Sequence, residues 1–363
     1  MIPGLAWGAD SSTSSDPPLF LIRRQGLYGY IDRSGSVVIS PVFSDASEFS
    51  EGRALVAIPD ASPEAATLAK QRGAPVYNYG YIDRFGDWAI DPQLKEGRDF
   101  HEGLAAARLG SYWGYLDPHS NIVVDFALAY AGDFSRGLAR VWPDRTDRAP
   151  EYITPEGRVV LRGVNGMDYS EGLAAFSDAS GRVGYIDHDG GIAIGARFVE
   201  ADEFSEGLAR VALPTADARQ PGTPRKLYGY ITRTGNLTIP TEYAGAGNFS
   251  EGLARVLIDE RWGYIDRNGQ LAIPVQFDDA KDFSDGLAAV ETKGQWGYID
   301  ANGRVVIPAQ FPAAESFVRG LARIPGGGSW GYIDHSGRFV WTGPRVTEAP
   351  PPAPSVTNPR KAR

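Results

Sequence analysis

The residues that could carry chemistry in this sequence recur at regular intervals. An aspartate follows a Gly-Tyr-Ile or Gly-Tyr-Leu phrase in seven copies, and such carboxylates could form calcium sites or an acidic ring. They are Asp32, Asp83, Asp117, Asp187, Asp266, Asp300 and Asp334. Two further copies carry Thr154 and Thr232 at this position, and threonine shares with aspartate only the ability to accept a turn hydrogen bond. The pattern therefore predicts a turn residue rather than a metal ligand.

Three other repeated side chains have a chemical and a structural interpretation. The glutamate of a Phe-Ser-Glu-Gly phrase becomes Arg136 and Arg319 in two copies, so we expect a solvated position with no fixed charge. Four arginines at one equivalent position, Arg140, Arg210, Arg255 and Arg323, could bind an anionic polymer, although pairing with nearby acids is favoured. Four tryptophans, Trp113, Trp262, Trp296 and Trp330, could stack on sugars, but tyrosine and Val183 replace them elsewhere, which favours core packing.

Catalytic and metal-binding patterns are missing from the sequence. The four histidines, His101, His119, His188 and His335, have no metal-ligand spacing. There is no cysteine, which excludes disulfides, thiolate zinc sites and thiol nucleophiles. The nucleophile-elbow, P-loop and dinucleotide-binding motifs are also absent. We therefore expect a protein that is not an enzyme and binds no cofactor or metal.

Composition narrows the possible partners. The chain has 363 residues and a formal net charge of −9, which disfavours nucleic acid as a partner. Hydrophobic residues make up 42% and aromatic residues 11%, enough for a substantial core. No apolar run approaches the length of a transmembrane helix.

These residues belong to an internal repeat. An aromatic residue followed by Gly-Tyr-Ile-Asp recurs in nine exact or variant copies, and the Phe-Ser-Glu-Gly-Leu-Ala phrase or a variant of it lies between each successive pair. Gly229, Gly263, Gly297 and Gly331 are 34 residues apart, which sets the period. One repeat of this size cannot bury enough apolar surface alone, so its aromatic residues must pack against neighbouring copies.

Each copy is predicted to be a three-stranded meander. In one copy, strand a is 253–258, strand b is 261–265, and Asp266 and Gly269 form the turn into strand c at 270–273. Pro274 should end strand c because proline cannot donate to a sheet. The segment 277–286 should be an irregular return anchored by Phe277, Ala280 and Phe283.

The copies predict an all-β array, which could be either open or closed into a ring. A propeller blade has four strands and propellers usually have four to eight blades, whereas this chain has nine units of three evident strands. Strand a of the first copy (19–24) and strand c of the last (338–341) lie within intact terminal units. We therefore expect an open superhelical, solenoid-like array, with a closed propeller-like ring as the alternative.

The pattern Trp-Gly-Tyr-Ile-Asp-x-x-Gly-x-x-x-Ile-Pro, seen at 262–274 and 296–308, resembles the WG repeat, also called KWG, of bacterial proteins. The resemblance covers roughly 19–341. It implies a β-rich repeat protein without established catalytic residues. The copies that contain Glu151, Val183 and Ser120 depart from the pattern and are expected to be irregular.

The chain divides into three parts. Residues 1–18 are expected to be a flexible lead with the remnant of a signal peptide, which favours a secreted or periplasmic location over a cytoplasmic one. Residues 19–342 form the repeat array. Residues 343–363 are rich in proline and are expected to be a disordered tail.

Insertions provide the main indication of function. Almost all fall between strands a and b, in copies two, four and six, and repeat proteins often bind through the face that carries such insertions. In the first, Ser62 as N-cap and Pro63 at the first helical position predict a short helix. Seven binding residues are predicted in these loops: Arg72, Trp142, Arg145, Arg148, Arg219, Arg225 and Lys226.

The leading hypothesis is a scaffold that binds a protein partner through the a–b loops. The alternative is a module that binds a cell-envelope glycan or peptidoglycan through exposed aromatic residues.

Overall fold

A computed structural model describes residues 16–143, 150–162, 166–215, 226–326 and 329–343. Within these residues the chain forms nine antiparallel sheets, arranged as a closed nine-bladed ring. The open array was therefore the wrong expectation, and the ring alternative is correct. The proposed lead, apart from 16–18, and the proposed tail, apart from Gly343, lie outside the described residues.

The strands follow one another along the chain within every sheet. Sheet 1 contains β1 (Phe20–Arg24), β2 (Leu27–Ile31) and β3 (Val37–Phe43). Sheet 2 contains β4 (Asp45–Ala46), β5 (Ala54–Pro59), β6 (Tyr77–Ile82) and β7 (Trp88–Leu94), with helix α1 (Pro63–Arg72) between β5 and β6. Sheet 3 contains β8 (Glu96–Gly97), β9 (Ala105–Leu109), β10 (Tyr112–Leu116) and β11 (Ile122–Leu128). Sheet 4 contains β12 (Tyr130–Ser135), β13 (Leu138–Trp142), β14 (Glu151–Ile153) and β15 (Val159–Arg162).

The second half of the ring repeats the arrangement. Sheet 5 contains β16 (Gly166–Ser170), β17 (Leu173–Ser177), β18 (Val183–Asp187) and β19 (Ile192–Phe198). Sheet 6 contains β20 (Glu200–Ala201), β21 (Leu208–Pro214), β22 (Lys226–Thr232) and β23 (Leu237–Tyr243). Sheet 7 contains β24 (Gly245–Ala246), β25 (Leu253–Ile258), β26 (Arg261–Asp266) and β27 (Leu271–Phe277). Sheet 8 contains β28 (Asp279–Ala280), β29 (Leu287–Thr292), β30 (Gln295–Asp300) and β31 (Val305–Phe311). Sheet 9 contains β32 (Phe317–Val318), β33 (Leu321–Gly326), β34 (Ser329–Ile333) and β35 (Phe339–Thr342).

Eight of the sheets have four strands, not the predicted three. The additional strand lies in the segment expected to be an irregular return, and in six sheets it has only two residues. Asp279 and Ala280, for example, pair with Glu291 and Val290 of the following strand a. A strand of two residues is too short to show a period in the sequence, so the predicted number of strands per sheet was too low.

Strand c also differs from the prediction. In sheet 7 it runs through Pro274 to Phe277 instead of ending before the proline. Strand c is the last strand of its sheet, and an edge strand tolerates a residue that cannot donate to a further neighbour. Its register shifts opposite Gly263, where an added Cβ would lie 2.7 Å from the Ile273 carbonyl oxygen. This close approach explains the glycine of the repeated aromatic-Gly-Tyr phrase.

Successive sheets are joined by a repeated aromatic contact, as the repeat length predicted. The tyrosine of strand b in one sheet meets the edge of the phenylalanine that begins the next Phe-Ser-Glu-Gly phrase. In sheets 7 and 8, Tyr264 lies 4.9 Å from Phe283 between ring centroids, and its hydroxyl donates to the Lys281 carbonyl at 2.7 Å. Both rings are almost completely buried. The core is therefore a set of similar clusters between neighbouring sheets.

The ring closes between sheets 9 and 1 by the same chemistry. Phe20 of β1 takes the place of the missing phenylalanine and lies 5.6 Å from the ring of Tyr332. The Tyr332 hydroxyl donates to the Leu21 carbonyl at 2.8 Å, and Trp330 Nε1 donates to the same oxygen at 3.2 Å. Intact terminal units thus close the ring through side chains, so they did not imply an open array.

Candidate functional site

The antiparallel order sorts the connections onto two faces of the ring. Every sheet has an a–b loop and a b–c turn, and sheets 2 to 9 also have a hairpin between their first strand and strand a. Since alternate connections lie at opposite ends of a sheet, the hairpins and b–c turns share one face, here called the turn face. The strand ends joined by the a–b loops lie on the other face, here called the loop face.

The repeated aspartates shape the b–c turns of the turn face, as predicted. Oδ1 of Asp300 accepts hydrogen bonds from the backbone of Asn302 and Arg304, each at 2.9 Å. The backbone N–H of Arg304 is the largest cause that holds the pKa of Asp300 below its usual range. Within the described residues there is no group of three His, Asp or Glu side chains placed to hold a metal.

The glutamates of the Phe-Ser-Glu-Gly hairpins are exposed or half-buried, as expected for a solvated position, but they also make a contact that the sequence did not predict. The carboxylate of Glu51 in sheet 2 accepts backbone hydrogen bonds from Glu102 and Gly103 in the hairpin of sheet 3, both at 2.8 Å. Glu102 then accepts from Arg136 and Gly137 in the hairpin of sheet 4, at 2.6 and 2.7 Å. The negative charge binds the backbone of the next sheet. This contact between separate copies has no local sequence pattern.

Six hairpins among the described residues receive a carboxylate in this way. The donors are the hairpins of sheets 3, 4, 6, 7, 8 and 9, and the acceptors are Glu51, Glu102, Glu171, Glu206, Glu251 and Asp285. Arg136 interrupts the chain of contacts between sheets 4 and 5.

The b–c turns add a second set of contacts to the hairpin carbonyls. His188 Nε2 lies 2.7 Å from the carbonyl oxygen of Arg136, and His335 Nε2 lies 3.0 Å from that of Asp285. Arg267 donates to the Glu206 carbonyl. Arg33 Nε donates to the Arg319 carbonyl at 2.6 Å, across the closure between sheets 9 and 1. Together the two sets of hydrogen bonds link every neighbouring pair of sheets from sheet 2 through sheet 9 and on to sheet 1.

The strand-a arginines mostly pair with acids, as the favoured interpretation predicted. Arg255 Nε lies 2.9 Å from Asp282, Arg323 Nε lies 2.8 Å from Glu315, and Arg210 binds Asp202. Arg140 instead donates to the Gly166 carbonyl at 2.6 Å. With three of the four charges neutralised within the protein, an anion-binding ladder is not supported.

The tryptophan row packs against the core, as predicted. Trp113 is buried, and Trp262 and Trp296 are partly buried against the clusters between sheets. The Arg255 guanidinium lies 5.2 Å from the ring centroid of Trp262. Contacts within the protein therefore account for this row, and one ring face of Trp262 is covered by Arg255.

On the loop face, the sequence correctly predicted helix α1 in the enlarged a–b loop of sheet 2. The Ser62 side chain accepts a hydrogen bond from Ala65, Pro63 occupies the first turn, and Gly73 ends the helix with φ 68°. Ala65 is the buried residue of this helix, while Leu68 is 39% exposed. The predicted binding residue Arg72 is exposed in its last turn.

Of the other predicted binding residues, the structure describes two, and they lie in different sheets. Lys226 pairs with Glu200 and lies 5.5 Å from the centroid of Tyr228, so it anchors the base of the sheet 6 loop. Trp142 is half-buried, with Arg140 5.3 Å from its ring centroid and Tyr130 packed edge-on at 5.2 Å. The remaining four, Arg145, Arg148, Arg219 and Arg225, lie outside the described residues.

Two exposed residues of the loop face were missed from the sequence. Leu109 and Tyr112 flank the short a–b loop of sheet 3 and are 44% and 51% exposed. They lie between the enlarged loops of sheets 2 and 4. The sequence could have revealed them, because Leu109 and Tyr112 flank a two-residue loop, Gly110 and Ser111, where polar residues are usual.

A closed ring of repeated antiparallel sheets defines the class of the protein as a β-propeller, here with nine blades. The chain belongs to the family of the WG containing repeat, whose model matches more than half of it, at 28–58, 79–113, 113–141, 184–213, 228–262, 262–296 and 296–324. The family model thus identifies seven copies, against the nine predicted; the copies at Glu151 and Trp330 are unmatched but form sheets 4 and 9. No curated protein matches the sequence.

Solved structures similar to the chain share little of its sequence. The crystal structure of a eukaryotic initiation factor is similar with a TM-score of 0.50 and 15% identity, covering 72% of this chain and 81% of that one. The computationally designed Ika8 protein has a TM-score of 0.42 and 10% identity, covering 90% and 99%. BamB from Moraxella catarrhalis has a TM-score of 0.38 and 11% identity, covering 73% and 84%. The last two are too distant to carry an argument about this chain.

No helix in the described ranges is long and apolar enough to cross a membrane.

Proposed function

We propose that this protein is a non-enzymatic scaffold that binds a protein partner through the a–b loops of its loop face. The repeated propeller supports a role as an interaction module, because it provides a rigid surface rather than a chemical centre. The observation that carries the proposal is the confinement of the insertions to a–b loops, in sheets 2, 4 and 6.

The chemistry of the described loop face favours a protein surface as the ligand. Helix α1 presents Leu68 and Arg72, and the neighbouring sheet 3 presents Leu109 and Tyr112. Protein interfaces combine such apolar and aromatic residues with arginine. Asp60 and Asn78 both accept from Lys95 Nζ, at 3.0 and 2.7 Å, which fixes the base of the helical loop. A partner would therefore meet a loop held in place.

The glycan alternative has less support. Its best candidate, Trp142, has one ring face against Arg140 and an edge against Tyr130. Sugar-binding aromatic residues need an open ring face, whereas the arginine over this ring makes a cation–π contact. The exposed Tyr112 is the other aromatic residue on which such binding would depend.

Loop replacement tests the proposal. One variant replaces 60–75 with the short connection found at 293–294 of sheet 8, and a second replaces both Leu109 and Tyr112 with serine. The matched control is Phe85→Ser on the turn face of sheet 2, where Phe85 is 77% exposed. Proteins captured from the native organism by wild type are compared quantitatively with those captured by each folded variant.

We expect a defined set of proteins to be lost by both loop-face variants and retained by Phe85→Ser. If every protein captured by wild type is still captured by both loop-face variants, the proposed surface is wrong. Binding of isolated envelope glycan that disappears in Tyr112→Ser would instead support the alternative.

A further inference from the structure

The hairpin of sheet 5 differs from its counterparts in one residue. In six sister hairpins, the glycine N–H binds a carboxylate supplied by the preceding sheet. In the hairpins of sheets 3 and 4, the N–H of the residue before the glycine binds it as well. The equivalent side chain before sheet 5 is Arg136, which supplies a positive charge instead of an acceptor. Among the described residues, nothing accepts from the backbone N–H groups of Glu171 and Gly172.

The backbone of this hairpin is nevertheless shaped like the others. Glu171 and Gly172 both have positive φ, 50° and 83°, as do Glu206 and Gly207 at 53° and 79°. Successive N–H groups in such a conformation form a concave nest that attracts anions. The sister hairpins show within the same molecule which anion this geometry binds, namely the carboxylate of an acidic side chain.

Positive side chains lie beside this nest. A Cβ placed on Gly172 would lie 3.2 Å from Arg233 Nη2 of the b–c turn in sheet 6, so the guanidinium borders the nest. The sister site at Gly207 has the same arrangement, with Arg267 Nη2 at 3.5 Å from the equivalent point, and there Glu171 fills the nest at 2.9 and 3.1 Å. Arg136 is exposed and forms no ion pair with any described residue.

We propose that the hairpin of sheet 5 is a binding site for an external carboxylate, the side chain of an aspartate or glutamate in an acidic peptide segment of a partner. Glu171 and Gly172 N–H donate to the carboxylate oxygens, Arg233 lies beside them, and Arg136 adds attraction from the position where the sister sites carry the acid. Hydrogen bonds between charged and neutral groups are stronger than neutral pairs, which suits a single carboxylate as anchor. The site lies on the turn face and does not depend on the proposed role of the loop face.

Backbone amide NMR of the full chain tests the site. The probe is an acetylated, amidated peptide of alternating glycine and glutamate, and its glutamine counterpart is the control. We expect saturable shifts of the Glu171 and Gly172 amides with the acidic peptide only. The amides of Gly207 and Gly252 should stay unchanged because Glu171 and Glu206 already occupy them.

Two charge reversals provide matched variants. Arg136→Glu recreates the acid of the sister sheets, so it should abolish the peptide-induced shifts and slow hydrogen exchange of the Gly172 amide about tenfold. Arg319→Glu makes the same charge change before sheet 1, which has no such hairpin among the described residues, and should leave peptide binding intact. Arg233→Gln should weaken binding, while Arg267→Gln should not.

Unchanged Glu171 and Gly172 amides at saturating peptide would overturn the site. So would undiminished peptide binding by a folded Arg136→Glu protein. Tighter binding of inorganic phosphate than of the acidic peptide would overturn the assignment to a carboxylate.

Discussion

The two faces of the ring are built from the same repeats but are held together in different ways. On the turn face, side chains of one sheet bind the backbone of the next, as Glu51 does at Gly103 and Arg33 does at Arg319. On the loop face, loops vary in length and α1 buries little more than Ala65. The difference shows that insertions were tolerated at the end of each sheet where few contacts depend on loop length.

The interior between sheets should respond most strongly to substitution. Tyr298 is fully buried, donates to the Glu315 carbonyl at 2.7 Å and packs 4.8 Å from Phe317. Tyr298→Ala should lower the free energy of unfolding by about 3–5 kcal/mol. Tyr112→Ala on the loop face should change it by less than about 0.5 kcal/mol. Chemical denaturation compares the two, and equal losses would contradict the division between core and loop face.

Two substitutions within sheet 7 should show a smaller difference in stability. Glu251 caps Gly286 of the next sheet, at 3.1 and 3.2 Å, whereas Glu260 lies in the a–b loop of the same sheet 7. Glu251→Gln should reduce the free energy of unfolding by about 1 kcal/mol because a charged acceptor is lost. Glu260→Gln should leave it unchanged, measured again by denaturation. A larger effect at Glu260 would mean that the carboxylate contacts do not stabilise the turn face.

Loss of a helix cap should remain local. Ser62→Ala removes the side chain that accepts from Ala65 at 3.2 Å and should destabilise α1 by about 1 kcal/mol. Hydrogen exchange of the α1 amides should become several-fold faster, while the global unfolding transition stays where it was. A matching drop in global stability would show that this loop is part of the cooperative core.

Acidification should act on the b–c turns. The Arg304 N–H is the largest cause that lowers the pKa of Asp300 from 3.8, so the folded state favours the ionised carboxylate. That stabilisation is present above pH 3.8 and disappears as pH falls through the lower folded value. Asp300→Asn should therefore flatten the acid limb of the stability curve, measured by thermal unfolding across pH. If the variant loses stability at low pH as wild type does, other carboxylates are responsible for the acid sensitivity of the protein.

The sequence predicted those features that depend on neighbouring residues. The turn role of Asp300, strand a of sheet 7 and the cap of α1 by Ser62 all follow from local propensity and spacing. It did not predict the short strand Asp279–Ala280, since two residues carry no period. Ring closure was not predicted either, because the repeat pattern does not indicate that Tyr332 contacts Leu21.

The candidate sites also differ in whether neighbouring residues or distant contacts define them. The positions of the insertions located the loop face in the sequence. Of the binding residues predicted there, Arg72 is exposed and Lys226 is paired with Glu200. The site at the hairpin of sheet 5 was visible in the sequence only as the exchange of glutamate for Arg136, which was interpreted as a solvated position with no fixed charge. Its meaning required the contact that the sister glutamates make in three dimensions.

Ring closure has a consequence for how the protein folds. Most interfaces between sheets join segments close in the chain, as in the 17 residues between Tyr298 and Glu315. The contact of Tyr332 with Leu21 spans 311 residues. Loop-closure entropy makes a contact at that separation about 2–3 kcal/mol less favourable than a local one. Assembly can thus proceed from neighbour to neighbour, and we expect the seam between sheets 9 and 1, the contact of highest sequence separation described here, to form last.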